Sequence, residues 1–349
     1  MVLKNHTLSL LRLVLGAALA LELAGCGVTY VAQAAHGQLA VMNAREPIDQ
    51  VLARPDTSAR LREQLLRVKR IRDFASIELG LPDNASFRSY ADIHRQYVVW
   101  NVVATPELSV EPRQWCFPVA GCVAYRGYFN EQDARAFAAK LQAGGDDVTV
   151  GGVPAYSTLG RVADPVLSTV AGYGELDLAA LIIHELAHQQ LYVPGDSAFN
   201  EAFATTVEEA GVARYAQTLG DATALPRWQA RQRYRVEISA LFSATRSRLA
   251  ILYASKSTDA EKRAGKAQLL QELTAQIRAT EKQQGRASGF ADWLDAGLNN
   301  AHLASIATYY ELVPRLESTL HETCGDYLPC FYVTAKPAAP DQGAARQHH

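Results

Sequence analysis

The sequence of 349 residues has few cysteines and no excess of charge of one sign. It contains 5 cysteines, and 34 basic residues nearly balance 36 acidic ones. No basic stretch is interleaved with aromatic residues, which argues against nucleic acid as a partner. No repeat recurs at solenoid periods, and no apolar run reaches the ~20 residues that a membrane-spanning helix needs. The chain is therefore expected to be globular and long enough for one large domain or two ordinary ones.

The first 25 residues predict an export signal that is removed from the mature protein. Lys4 and Arg12 provide a short basic region, and Leu13 to Ala20 provides an apolar core of the right length. Leu23-Ala24-Gly25-Cys26 resembles a bacterial lipobox, in which the cysteine carries a diacylglycerol. Gly27 in place of an aspartate indicates, by resemblance to sorted lipoproteins, the outer membrane. We therefore expect a lipid anchor on Cys26 at the periplasmic face of a bacterial membrane.

The four remaining cysteines fall into two close pairs, Cys116 with Cys122 and Cys324 with Cys330. An even number in an exported chain predicts disulfides. Neither spacing matches the C-x-x-C pattern of a zinc ribbon or a redox centre. We expect two local clips on surface turns, each of which stabilises by about 2 to 3 kcal/mol.

The stretch from Leu178 to Glu209 carries the strongest signal for chemistry. Within it, His184-Glu185-Leu186-Ala187-His188 is an H-E-x-x-H motif in an apolar run. On a helix the two histidines lie on one face, roughly 6 Å apart along the axis, so both imidazoles can bind one ion. Glu185 is offset by about 100° and can hold a water molecule beside that ion. This pattern is typical of a hydrolytic zinc site with Glu185 as the general base.

The surroundings of the motif favour the zinc hypothesis. His184, Glu185 and His188 are the only ionisable residues between Leu178 and Leu191. A helix this apolar must be buried, and burying two imidazoles and a carboxylate costs several kcal/mol unless each has a partner. A metal ion provides a partner for all three. We prefer this interpretation to core histidines that only form hydrogen bonds.

A third ligand is expected from the next helix. Pro194 to Ser197 predicts a turn, with Ser197 as the N-cap of the helix that follows. Glu201 lies in the first turn of that helix, and Glu208 lies two turns later on nearly the same face. Either carboxylate can reach the ion. The other one can form a hydrogen bond to the outer nitrogen of one histidine and so set its tautomer.

These residues resemble the gluzincin metallopeptidases, in which H-E-x-x-H is followed by Asn-Glu-Ala on the next helix. More closely, HELAHQQLY and FNEAFA resemble a bacterial family described as zinc-dependent aminopeptidases. The likeness also takes in Trp115 to Phe129 and Leu298 to Tyr310. It implies a zincin-like fold, Zn²⁺ as the cofactor and a peptide as the substrate. By position it implies His184, His188 and Glu201 as ligands and Glu185 as the catalytic base.

Two departures from the gluzincin pattern affect what the resemblance implies. In thermolysin-like members the gap from the second histidine to the glutamate is longer, and Glu208 fits that spacing better. We prefer Glu201 for its Asn-Glu-Ala context and keep Glu208 as the alternative. The Gly-x-Met-Glu-Asn element of well-known gluzincin aminopeptidases is absent, so the choice of exopeptidase over endopeptidase rests on the family label.

A catalytic zinc site also needs a group that stabilises the oxyanion, usually Tyr, His or Arg. The segment from Leu298 to Leu312 predicts a helix that ends at Pro314 and carries His302, Tyr309 and Tyr310. We prefer Tyr309 for this role. The alternative is a core helix whose polar residues are satisfied by hydrogen bonds.

The periodicity predicts an α+β, predominantly helical fold with a small mixed sheet ahead of the H-E-x-x-H helix and a helical C-terminal region. Strands are expected over Tyr97 to Val103, Val123 to Phe129 and Val148 to Gly152. Val150 to Tyr156 is a candidate edge strand for binding the substrate backbone, with an ordinary loop as the alternative. A helical hairpin with a break at Ser255 to Asp259 should follow the zinc helices.

The predicted organisation is a signal peptide over residues 1–25, one zincin-like peptidase domain over 26–333 and a disordered tail over 334–349. The predicted function is hydrolysis of peptides by metal-activated water. Two alternatives stay open at this point: a non-catalytic zinc-binding envelope lipoprotein that acts as a scaffold, and a hydrolase of peptidoglycan peptides. A scaffold would have a fourth protein ligand and a closed site, whereas a hydrolase keeps one position open for water.

Overall fold

A computed structural model describes residues 29–117, 121–306 and 312–336. Cys26, Tyr309 and Tyr310, together with the predicted signal peptide, therefore lie outside the described residues. Within the described ranges helices predominate and the strands form small sheets. The prediction of an α+β, predominantly helical fold is confirmed. In the same ranges no helix has both the length and the apolar character to cross a bilayer.

The N-terminal part consists of helices and one short strand. Helix α1 covers residues 29–43, and it is followed by β1 (Arg45–Pro47), α2 (Ile48–Ala53) and α3 (Ala59–Ile77). Strand β1 pairs in the antiparallel direction with β2 (Ser89–Ala91). Helix α3 begins where Ser58 accepts a hydrogen bond from the amide of Leu61, as an N-cap residue does.

The strands form three small sheets in the described part of the chain. The first has the order β1-β2-β8 and mixes antiparallel and parallel pairing, with β8 at Val166–Leu167. The second is antiparallel with the order β6-β3-β7, formed by β3 (Val99–Pro106), β6 (Arg126–Tyr128) and β7 (Asp146–Val153). The third pairs β4 (Trp115–Phe117) with β5 (Gly121–Val123). Helix α4 (Glu131–Ala143) covers the second sheet and, with it, forms a small apolar core.

The main apolar core surrounds an antiparallel helical hairpin. After α5 (Ser168–Ala171) come α6 (Glu175–Gln190) and α7 (Ser197–Thr218), which pack against each other and against α3. The N-cap of α7 is Asp196 rather than Ser197, since the Asp196 carboxylate accepts from the Phe199 amide at 3.0 Å. Aspartate and serine are similarly good N-caps, so the sequence left this boundary uncertain by one residue.

A glycine allows α6 and α7 to approach closely. A Cβ atom at Gly211 would lie 3.1 Å from Ile183 of α6 and 2.8 Å from Leu79. Both distances are shorter than ordinary van der Waals contacts. The hairpin that carries the H-E-x-x-H motif is therefore held at a separation that a larger residue at position 211 would disturb.

The C-terminal part is helical. The predicted hairpin is present as α8 (Ala224–Ala254) and α9 (Asp259–Gln284), and the capping box of Thr258 and Glu261 starts α9. Short helices follow at α10 (Ala291–Ala296), α11 (Asn300–Ile306), α12 (Val313–Ser318) and α13 (Leu328–Thr334), with a π-helical turn at Thr319–Thr323. Pro314 does not end a helix. It lies in the first turn of α12, where a missing amide proton is tolerated.

Both predicted disulfides are present. Cys116 and Cys122 face each other across the β4–β5 hairpin. Cys324 and Cys330 join the end of the π-helical turn to α13. Each bond closes a loop with a sequence separation of 6 residues, so each acts as a local clip.

Candidate metal centre

The turn between α6 and α7 sets the direction in which α7 starts. The Asn200 side chain bridges this turn, because its oxygen accepts from the Val193 amide at 2.7 Å and its nitrogen donates to the Val193 carbonyl at 2.8 Å. Asn200 is 2% exposed, so water does not compete for these bonds. The neighbouring residue, Glu201, consequently faces α6. The Asn-Glu-Ala sequence thus has a local reason: its asparagine holds the turn and its alanine, Ala202, packs into the core.

Two imidazoles and one carboxylate meet at a single point between the helices. The Nε2 atoms of His184 and His188 lie 3.2 Å apart. Glu201 places its Oε2 atom 3.4 Å from the first Nε2 and its Oε1 atom 3.7 Å from the second. A tetrahedral zinc ion with bonds of about 2.1 Å holds its ligand atoms about 3.4 Å apart. The donor set and its spacing therefore fit a zinc ion.

Glu208 reaches the same cluster from the other side. Its Oε2 atom lies 2.9 Å from Nδ1 of His184, the ring nitrogen opposite the one that faces Glu201. A carboxylate on the outer nitrogen fixes the tautomer in which Nε2 is free to bind a metal ion. The corresponding Nδ1 of His188 is buried and has no hydrogen-bond partner among the described residues.

Each histidine and Glu201 has a shifted pKa in the absence of a metal ion. Burial lowers the pKa of His184, but hydrogen bonds to Glu201 and Glu208 outweigh it and raise that pKa to about 10. Burial, followed by the positive charge on His184, lowers the pKa of His188 to about 4. Burial opposes ionisation of Glu201, yet its contacts with the two histidines lower its pKa overall. The carboxylates around the two imidazoles thus stabilise one positive charge in the cluster. A bound metal cation would supply that charge.

Glu185 lies beside this cluster and touches a loop from the preceding sheet. Burial raises its pKa to about 7, and the nearby carboxylates of Glu201 and Asp164 contribute, while His184 and a hydrogen bond with Ser157 oppose the shift. A carboxylate with a pKa near neutrality is suited to exchange protons at neutral pH.

The loop after β7 was not recognised as part of the site in the sequence. Asp164 is 4% exposed and holds this loop together, accepting from the Ser157 hydroxyl at 3.1 Å and from the amide and hydroxyl of Thr158 at 2.9 Å each. Ser157 also contacts Glu185. These residues come from a loop without periodicity, and the only available signal was the position of the loop just ahead of the H-E-x-x-H helix.

Tyr125 was also missed. It lies between β5 and β6, inside the Trp115 to Phe129 stretch that carries part of the family resemblance. Burial raises the pKa of its hydroxyl, and the nearby Tyr30, Glu201 and Tyr192 add to the shift. The phenol therefore keeps its proton at neutral pH, and 45% of the residue's surface is exposed.

His302 does not join the cluster. It lies in the second apolar core, which α8 and α9 form with α10 and α11, and its ring packs 4.5 Å from that of Trp293. Its Nδ1 atom accepts from the amide of Asn299 at 3.0 Å. Burial lowers its pKa to about 4. His302 thus behaves as a core histidine with a satisfied hydrogen bond, and Tyr309 and Tyr310 stay predictions.

Strand β7 is an edge strand, but its glycines differ in their surroundings. A Cβ atom at Gly152 would lie 2.3 Å from the Tyr97 ring, whereas one at Gly151 would meet nothing within 4 Å. The close approach at Gly152 is therefore made by an aromatic side chain of the protein itself. Near its start, β7 is covered by Asn299, whose side chain donates to the Val148 carbonyl at 3.0 Å.

The fold and the cluster define an α+β, predominantly helical protein with a two-histidine, one-glutamate centre on a helical hairpin. The sequence model of the family described as Putative aminopeptidase matches residues 29–349. The chain therefore belongs to this family, and the membership supports peptidase activity. A search of curated proteins and a search of solved structures each found no match.

Proposed function

We propose that the protein is a zinc-dependent peptidase that acts as an aminopeptidase. His184, His188 and Glu201 would hold the zinc ion, and Glu185 would act as the general base. The observation that carries the proposal is the convergence of three donor atoms, all within 4.8 Å of one another, beside the half-buried carboxylate of Glu185. Family membership supports a peptide as the substrate.

The residues around the centre divide the chemistry among them. When bound, zinc lowers the pKa of a water ligand and polarises the scissile carbonyl. Glu185 accepts a proton from the attacking water and passes it to the leaving amine. Glu208 keeps His184 in the tautomer that presents Nε2 to the ion. Ser157 lies beside Glu185 and donates its hydroxyl proton to Asp164 at 3.1 Å, so it helps to hold the loop that Glu185 touches.

Tyr125 is the phenol that we propose to stabilise the oxyanion of the tetrahedral intermediate. Its hydroxyl is within electrostatic range of the Glu201 carboxylate, and its raised pKa means that the hydroxyl is protonated and able to donate a hydrogen bond. Tyr125→Phe should lower kcat by about 100-fold, the typical loss for one such donor, while zinc content stays unchanged. Unchanged kcat would return the role to Tyr309.

We also propose that the protein is anchored through a lipid on Cys26 and faces the periplasm, with the outer membrane as the destination. The lipobox-like Leu23-Ala24-Gly25-Cys26 and the two disulfides support export into an oxidising compartment. Cys26→Ser should move the protein from the membrane fraction to the soluble fraction of cells. A variant that stays in the membrane fraction would exclude this mode of anchoring.

The decisive experiment compares Glu185→Gln with the native protein. The amide has nearly the shape of the carboxylate but cannot accept the proton, so the variant should bind zinc normally and lose hydrolysis of peptides. Glu237→Gln, an exposed position on α8, is the matched control. Peptides with free and with blocked amino termini, each tested with and without a chelator, separate aminopeptidase from endopeptidase activity. Native turnover in Glu185→Gln would show that Glu185 is not the base.

A further inference from the structure

A small cavity adjoins the candidate base. Its walls come from α5, α6, β8 and the loop after β7, and the side chain of Glu185 forms part of one wall. Phe87, Tyr156, Val166, Val170 and Leu181 supply other parts. Under the proposed mechanism Glu185 exchanges protons at the scissile bond, so this cavity would lie beside a residue that flanks that bond.

The chemistry of the lining is apolar. Among the described residues that line it, only Glu185 and Tyr156 carry a polar group on the side chain. The Tyr156 hydroxyl donates to the Gln38 side chain on α1, so it is already engaged outside the cavity. Glu185 is committed to proton exchange at the scissile bond in the proposed mechanism, so a charged or hydroxyl-bearing substrate side chain would lose its hydration in the cavity without gaining a free partner, which is unfavourable. The cavity therefore selects an aliphatic group.

The size of the cavity is equally restrictive. Its free volume is about 10 Å³. One water molecule needs about 10 to 15 Å³ of such volume. That is room for roughly one methyl group. A leucine or phenylalanine side chain would have to displace the surrounding residues, which are packed into the main core.

The wall at Phe87 is held rigidly. Phe87 is 6% exposed and has a φ of 60°, in the left-handed region that residues other than glycine rarely adopt. Its amide donates to the Asp164 carbonyl at 2.7 Å, and this bond ties it to the loop that touches Glu185. A backbone conformation of this kind persists only where the surroundings enforce it. The small volume is therefore a fixed property of the site.

We propose that this cavity binds the methyl side chain of an alanine residue next to the scissile bond and excludes larger and charged side chains. The inference rests on the proposed peptidase function and adds a substrate class to it.

The test uses a peptide library in which the two residues that flank the scissile bond are varied through every combination. Zinc-loaded full-length protein is incubated with it, and the products are identified by mass spectrometry. Alanine should be enriched at one of the two positions flanking the cuts, by at least about tenfold over leucine, since one extra methylene alone changes selectivity by about 10 to 200-fold. Cleavage with no preference for alanine at either position overturns this inference and leaves the proposed function standing. Absence of any cleavage overturns both.

A variant of the wall tests the cavity itself. Leu181→Ala removes three carbon atoms from the lining, so the ratio of kcat/KM for alanine over leucine should fall by about tenfold. Leu219→Ala is the matched control, because Leu219 is also half-buried against the main core but does not line the cavity. An unchanged ratio in Leu181→Ala, with a melting temperature close to that of the control, overturns the assignment. Binding of alanine and leucine peptides to Glu185→Gln, with and without Leu181→Ala, is measured by calorimetry. The ratio of the two dissociation constants needs no turnover and covers a loss of activity in the wall variant.

Discussion

Replacing Glu201 by glutamine is expected to weaken zinc binding by about 100-fold. Structural zinc sites bind with about 10 to 16 kcal/mol over four ligands, or about 3 kcal/mol per ligand, and about 1.4 kcal/mol corresponds to a factor of ten. The amide of glutamine has the shape of the carboxylate but is a poor zinc ligand. The loss should therefore be close to that of removing one ligand from the set of two imidazoles and one carboxylate.

Replacing Glu208 by glutamine should have a much smaller effect. Glu208 contacts Nδ1 of His184 at 2.9 Å, and the carbonyl oxygen of a glutamine can still accept that hydrogen bond. Complete loss of such a partner lowers metal affinity by about 10 to 100-fold. Because the bond is retained, we expect a loss below about tenfold.

The assay is a competition titration. Metal-free protein and each variant are titrated with zinc against a fluorescent chelator at neutral pH, with Glu237→Gln as the control. If Glu208→Gln loses more affinity than Glu201→Gln, the ligand role belongs to Glu208. Equally small losses in both variants would refute the reasoning, because neither carboxylate would then bind the ion.

Two further predictions concern stability. Burial and the neighbouring Glu317 raise the pKa of Glu209 to about 7 from an unfolded value of 4.5; the folded state then binds more protons, so stability falls as pH rises through this window. Glu209→Gln should raise the melting temperature above pH 7 and leave it unchanged below pH 4.5, the unfolded pKa. An equal rise of the melting temperature in both pH ranges would contradict this. Gly152→Ala would bring a Cβ atom to 2.3 Å from the Tyr97 ring and should lower the free energy of unfolding by about 1 to 3 kcal/mol. Gly151→Ala, which meets nothing within 4 Å, is the control in denaturant melts, and equal losses in the two would contradict the packing argument.

Local patterns were enough to predict α6, α7 and the hairpin of α8 and α9. The apolar run around His184 became α6, and the Thr258 and Glu261 pair became a capping box, because both signals involve residues within one or two turns. The short strand β1 was not predicted. Three residues, Arg45–Pro47, carry no periodicity, and their pairing with β2 depends on residues more than 40 positions away.

The candidate site was only partly predictable for a similar reason. The spacing of His184 and His188 follows from the helix alone. Ser157, Asp164 and Tyr125 approach Glu185 or Glu201 from loops, so their positions depend on how the sheets pack against α6. Sequence patterns describe neighbours along the chain and contain no information about such approaches.

The choice between Glu201 and Glu208 shows where a helical pattern stops being informative. Seven residues are close to two turns, so both carboxylates lie on one face of α7, about 10 Å apart along its axis. His184 lies between them, with Nε2 towards Glu201 and Nδ1 towards Glu208. An imidazole presents its two nitrogens in different directions, and one ion cannot lie on both. The two carboxylates therefore have different roles because of the crossing of α6 and α7, and a shift of α7 by one turn, about 5.4 Å, would remove both contacts.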